Sequence, residues 1–196
     1  KADAIGYYNS MVYLLSASDG IYKVGEDTKE TKVLDADKNM SSVQGMFMYS
    51  GNMYVLDNKK QDILKYSSTD SGFSGGTSYF KDSLGVGLSS ASSLAIDSSV
   101  YISLDHSIVK YTGGLQDSFS TSFPSDGVSL TKLYTNKDVD KVYAWDKSKG
   151  SIFVVGKDGQ YEKEIKSSLL KTADDFTVYD NAVYVLIKEK IYKIAI

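Results

Sequence analysis

The chain has 196 residues, 42% of them hydrophobic and 24% charged, which excludes a disordered or fibrous protein and leaves enough length to bury a core. All 22 basic residues are lysine, against 25 acidic ones for a net charge of -3; without arginine the chain lacks the planar donor fork that reads base edges and clamps phosphate, so nucleic acid is not an expected partner. Cysteine is absent, excluding disulfides, thiolate metal sites and a thiol nucleophile, and no apolar run nears the ~18 residues of a membrane-spanning helix, so no membrane insertion by this segment is expected.

Short apolar runs rich in Tyr, Val, Ile and Phe, broken by Gly, Ser, Asn and Asp, predict strands and turns. In chain order, Asp3 to Tyr8 reads as a strand, Asn9-Ser10 as its turn, Val12-Tyr13-Leu14-Leu15 and Ile21-Tyr22-Lys23-Val24 as two more strands, and Thr31-Lys32-Val33-Leu34 as a more polar fourth. The order then recurs. A strand ending at Tyr49 leads through Ser50-Gly51-Asn52 to Met53-Tyr54-Val55-Leu56, then to Ile63-Leu64-Lys65-Tyr66, a glycine-containing loop from Ser71 to Ser78 expected to be mobile, and Thr77-Ser78-Tyr79-Phe80. Next come Ile96, the turn Asp97-Ser98-Ser99, Val100-Tyr101-Ile102-Ser103, Ile108-Val109-Lys110-Tyr111 and an outer strand at Ser118-Phe119-Ser120-Thr121. A fourth round carries an insertion from Thr135 to Lys141, expected to project as a longer loop, before Val142-Tyr143-Ala144-Trp145, Ile152-Phe153-Val154-Val155 and Tyr161 to Ile165. The last has Tyr179, Asp180-Asn181, Val183-Tyr184-Val185-Leu186 and Ile191-Tyr192-Lys193-Ile194, with no fourth strand before Ile196.

The anchor tyrosines Tyr13, Tyr54, Tyr101, Tyr143 and Tyr184 are 41, 47, 42 and 41 residues apart. Four antiparallel strands (A to D) at that period make the blade of a β-propeller. Continuous apolar runs such as Val183 to Ile187 fit blades covered on both faces by their neighbours, where a one-faced sheet would alternate. The predicted fold is therefore all-β, a five-bladed β-propeller in one domain, with blades near 1-37, 38-83, 84-125, 126-169 and 170-196 and the last lacking its outer strand. That leaves Ile191 to Ile196 as an uncovered edge. Either a strand after residue 196 pairs with it, or the ring tolerates a three-stranded blade held by its A to C contacts, with edge pairing between molecules as a further means of covering it.

Met53-Tyr54-Val55-Leu56-Asp57 followed by Ile63-Leu64-Lys65-Tyr66 resembles the repeat of NHL-type bacterial propellers, and the resemblance runs through all five units. The fourth unit keeps Asp146 but has Val154 in the lysine column; Ser16, Leu104 and Ile187 stand where the others would have aspartate. A second similarity is to propeller modules of membrane-bound bacterial PPM-type phosphatase proteins, which implies a sensing or docking part. The absence of cysteine and a start at Lys1 fit a trimmed extracytoplasmic bacterial segment.

Propeller ligands bind on the face of the B–C and D–A loops, where the sequence brings Asp19, Asp57, Asp105, Asp146 and Glu189. Asp57, Asp105, His106, Asp146 and Asp175 are the candidate ligand-binding residues. A polar or divalent-cation site is one reading of the carboxylates Asp19, Asp57, Asp105, Asp146 and Glu189; the other is that aspartate ends strand B and starts a turn by bonding its own backbone. No catalytic residue, metal or cofactor is expected: His106 is the only histidine, and no loop has the dense spacing of a cation site. The competing class is a glycosidase-like hydrolase with Asp3, Asp174 and Asp175 at the axis, where Ser42, Ser92 and Thr131 hold the matching places in the other units. A third reading is a purely structural spacer. Trp145 and the tyrosine columns read as packing, and Lys23, Lys65, Lys110 and Lys193 as side chains leaning out of strand C. The function expected is a non-catalytic module for a protein, peptide or glycan partner.

Overall fold

The computed structural model describes residues 2–196. Blade one pairs β1 (Ala4–Tyr8), β2 (Met11–Ser16), β3 (Gly20–Val24) and β4 (Glu30–Asp35) in sequence order. Blade two pairs β5 (Val43–Tyr49), β6 (Asn52–Asp57) and β7 (Asp62–Tyr66); a small ribbon of β8 (Ser68–Thr69) and β9 (Gly72–Phe73) precedes its outer strand, β10 (Thr77–Ser78). Blade three holds β11 (Ser93–Ile96), β12 (Val100–Ser103), β13 (Ile108–Thr112) and β14 (Leu115–Gln116). Blade four holds β15 (Lys132–Tyr134), β16 (Lys141–Asp146), β17 (Ser151–Gly156) and β18 (Tyr161–Lys166). After one helical turn, α1 (Leu169–Thr172), blade five has three strands, β19 (Asp175–Tyr179), β20 (Ala182–Ile187) and β21 (Lys190–Ala195). The sheets form a five-bladed β-propeller, with the A strands of all five blades facing a central channel.

The A–B turns show how the residues dictate the hairpins. Asn9 and Ser10, Ser50 and Gly51, and Asp180 and Asn181 all have positive φ, the paired left-handed geometry whose twist matches the flanking strands. Blade three turns differently, with the Asp97 carboxylate accepting the Ser99 N–H at 2.7 Å.

The core lies between blades. Tyr54, Leu56 and Ile63 of blade two meet Leu94, Ile96, Ile102 and Tyr111 of blade three in one buried cluster. Three further clusters join blades one and two, three and four, and four and five. In each, the anchor tyrosine and the residue two places on face the following blade, while the residues between them face the preceding one. Both faces of blades two, three and four are thus covered, which is why their B strands are apolar without alternation. Trp145 is a core residue of this kind: it packs edge-on to Phe176, and its indole N–H donates to the Leu170 carbonyl at 3.1 Å, pinning α1 to blade four.

The repeated lysines do more than lean outward. Lys65, Lys110 and Lys193 pair across the B–C ladder with Tyr54, Tyr101 and Tyr184, and each ammonium lies over its partner's ring at 5.9, 5.5 and 5.8 Å from the centroid.

Two sequence expectations are corrected. The outer strand of blade three is Leu115–Gln116 and not Ser118 to Thr121, because Gly113 and Gly114, both at positive φ, reverse the chain at once. Phe119 then leaves the sheet to pack edge-on against Tyr101. The segment from Ser71 to Ser78 begins not as a free loop but as the β8–β9 ribbon, whose Phe73 ring docks on Tyr13 of blade one.

Candidate functional site

The A strands line a channel of about 1190 Å³ that runs from the loop face to the hairpin-turn face. Near the loop face two side-chain positions recur from blade to blade. The first holds Asp3, Ser92, Thr131 and Asp174, whose N–H groups bond the carbonyls of Leu15, Ser103, Trp145 and Leu186 two places after each anchor tyrosine. These are the matching places expected from the sequence. The second holds Ala4, Ser93, Lys132 and Asp175, each paired with that same B-strand position. In blade two Gly45 holds the second position, paired with Leu56, and a bulge between Val43 and Gly45 makes Gln44 the extra residue before it, which lines the channel.

Most of this polar lining already has work in holding the fold. The Asp3 carboxylate accepts the Ala17 N–H at 2.8 Å, Asp174 accepts that of Lys188 at 2.6 Å, and the Thr131 hydroxyl accepts that of Lys147 at 3.3 Å. In three blades, therefore, the first position fastens the adjoining B–C loop. The Ser92 hydroxyl bonds that of Ser103 and donates to the Leu130 carbonyl, each at 2.8 Å, while Ser93 accepts the Leu133 N–H at 3.1 Å, tying blades three and four together. What stays presented to the channel is the Lys132–Asp175 ion pair, both side chains more than a third exposed, and the amide of Gln44; their other bonds are local, Asp175 accepting the Phe176 N–H at 2.6 Å and the Gln44 amide donating to the Ser42 hydroxyl at 3.2 Å. Toward the opposite mouth the lining turns aromatic, with Tyr7, Tyr8, Tyr49 and Tyr134.

Of the five residues singled out from the sequence, only Asp175 lines the channel. Asp57 and Asp146 are completely buried and hold the same place in their blades. Asp57 accepts the N–H groups of Ser41, Ser42 and Lys60 together with the Ser41 hydroxyl. Asp146 accepts those of Ser129 and Lys149 at 2.8 and 2.9 Å and the Ser148 hydroxyl at 2.6 Å. Each clasps a D–A loop to a B–C turn, the strand-ending role that was one of the two sequence readings. Burial raises both carboxyls, but the converging donors outweigh it and hold both below the usual aspartate range. Asp105 and His106 are exposed in the third B–C turn; the Asp105 carbonyl accepts the Leu130 N–H at 2.9 Å, and the His106 ring contacts the Val128 carbonyl through Nδ1. Among the described residues no group of three His, Asp or Glu side chains is placed to hold a metal ion.

Lys132 and Gln44 were missed by sequence reasoning. Lys132 follows Thr131, which had been aligned with Asp3, Ser92 and Asp174; comparing the next position would have set Lys132 beside Asp175 in consecutive blades. Gln44 had no such signal, because its place depends on the bulge.

No family model matches the chain, and no curated protein matches it. Its likeness is to solved structures. A streptogramin B lyase shares 15% identity with a TM-score of 0.64, the match covering 98% of this chain and 68% of that one. Virginiamycin B lyase from Staphylococcus aureus shares 13% with a TM-score of 0.62, over 98% and 69%. A protein of unknown function from Bacteroides caccae shares 8% with a TM-score of 0.64, over 94% and 70%. At these identities the likeness shows the propeller fold, which is consistent with a binding or structural module.

Proposed function

We propose that the chain is a non-catalytic binding module that holds a peptide or glycan segment at the loop-face mouth of its channel. The observation that carries this reading is the division of labour in the lining. Asp3 and Asp174 are committed to N–H groups of the adjoining B–C loops, whereas the Lys132–Asp175 pair and Gln44, whose own bonds are to each other or to near neighbours in sequence, offer their remaining donors and acceptors to the channel. A polar ligand can exchange with such groups without undoing the fold. The resemblance to NHL-type repeats, and to the propeller modules of PPM-type phosphatase proteins, supports a docking or sensing role.

The test is calorimetric titration of the full chain with oligosaccharide and short-peptide panels, repeated with Lys132→Ala and Gln44→Ala. A ligand is expected that binds at least about fivefold more weakly to either variant, a loss of roughly 1 kcal/mol, while the unliganded melting temperature stays put. Binding indifferent to both substitutions would overturn the site. Sugar release that disappears in Asp174→Asn would establish the hydrolase reading in its place, because glycoside hydrolysis draws on two axial carboxyls.

A further inference from the structure

The first and last blades break a rule that the other blades keep. Ile21, Ile63, Ile108, Ile152 and Ile191 occupy one position of strand C, facing the following blade. The first four are at most 1% exposed, and Ile191 is 72% exposed. The face toward the preceding blade repeats the pattern. Met46, Leu94, Leu133 and Phe176 pair with the residue after the anchor tyrosine and are buried, whereas Ile5, in the same register opposite Leu14, is 63% exposed. Tyr7, in the register of Met48, Ile96 and Val178, is 67% exposed. Two blade faces therefore carry the same apolar chemistry as the buried interfaces and stand uncovered.

We propose that these faces are docking surfaces for further blades of this repeat, one packing on Tyr184, Leu186 and Ile191 of blade five and one on Ile5, Tyr7, Val12 and Leu14 of blade one. Three observations select that occupant. The two faces have the residue types that pack blade on blade elsewhere in the molecule. Blade five lacks a D strand, so β21 offers an open ladder edge on which a further strand can pair. The propellers this chain resembles extend beyond it by roughly a third of their own length while matching nearly all of it. At a period of 41 to 47 residues, that remainder corresponds to two repeats. Two additional blades would cover both faces and supply the missing strand.

The experiment compares the 196-residue chain with the same chain lengthened after Ile196 by two further copies of residues 156–196, which supply strand D and then A to C of the next blade. In the shorter chain Ile191→Lys is expected to leave the melting temperature within about 2 °C, while Ile152→Lys in the matching position prevents folding. In the lengthened chain the melting temperature should rise by about 5 °C or more, the Ile191 and Val12 amides should exchange at least about tenfold more slowly, and Ile191→Lys should abolish both gains. Concentration-dependent dimers of the 196-residue chain in sedimentation would overturn the proposal by showing a second copy to be the occupant. Ile191→Lys as damaging as Ile152→Lys in a strictly monomeric chain would also overturn it, since blades one and five would then cover each other. If the lengthened chain fails to fold, the Ile191→Lys comparison and sedimentation decide the matter on the shorter one.

Discussion

Lys157 and Asp97 join two blades that share no strand. The ammonium on the C–D turn of blade four lies 2.7 Å from the carboxylate on the A–B turn of blade three, and the Asp97 side chain is only 7% exposed. Burial raises the Asp97 carboxyl, but Lys157 and the N–H groups of Ser99 and Ser98 outweigh it and hold it below the usual range. Lys157 also receives a bond at its own carbonyl from Lys110 at 3.2 Å and donates to the Asn136 carbonyl at 3.3 Å, so one residue links the turns of blades three and four.

Replacing Lys157 by Met leaves a buried carboxylate without its cationic partner. Water reaches the ammonium, which limits the cost to about 1–2 kcal/mol, less than for a wholly enclosed pair. Urea unfolding of Lys157→Met, Asp97→Asn and the double variant measures the coupling. The double variant should be more stable than the two single losses added together, and strict additivity would show that the pair contributes nothing of its own.

The Asp57 and Asp146 clasps give the fold an acid-sensitive component. Their folded-state carboxyls, like that of Asp97, lie below the unfolded value of about 4, so the stability they contribute is complete above that pH and is lost as pH falls through the folded values. Urea midpoints should hold steady from about pH 7 to pH 5 and then decline toward pH 3. Asp57→Asn and Asp146→Asn should each cost about 2–3 kcal/mol at neutral pH, since an amide group would face backbone donors, and each should flatten the acid limb. An acid limb as steep in both variants as in the parent would show that these carboxylates do not carry it.

The parts of the molecule legible in the sequence are those that every blade repeats. Tyr54, Tyr101 and Tyr143, with Ile63, Ile108 and Ile152, lie in interfaces rebuilt between consecutive blades, so one packing demand is written several times at a fixed period. Even the ordered contacts of Asp57 and Asp146 follow from a position shared by two units. The channel was harder to see. The Lys132–Asp175 pair arises from one position in two adjacent blades, Gln44 depends on a single extra residue, and Lys157 reaches Asp97 across 60 residues of sequence. The ribbon before β10 was hidden for a related reason: its glycines and serines read as a loop, and only the surface of blade one shows what they fit.

That fit is testable at Gly72. Its φ of +144° disfavours any side chain, and a Cβ there would fall 2.3 Å from the Val33 carbonyl oxygen on β4. Gly72→Ala must therefore push the ribbon off blade one, separating the Phe73 ring from Tyr13, whose centroids now lie 5.6 Å apart. Gly75, three residues on, has open space where its Cβ would stand. The expected outcome is a loss of about 1–2 kcal/mol in Gly72→Ala, with rapid proteolysis confined to residues 68–76, and no change in either property in Gly75→Ala. Equal protease resistance in the two variants would mean that the ribbon is held by something other than its seat against Val33 and Tyr13.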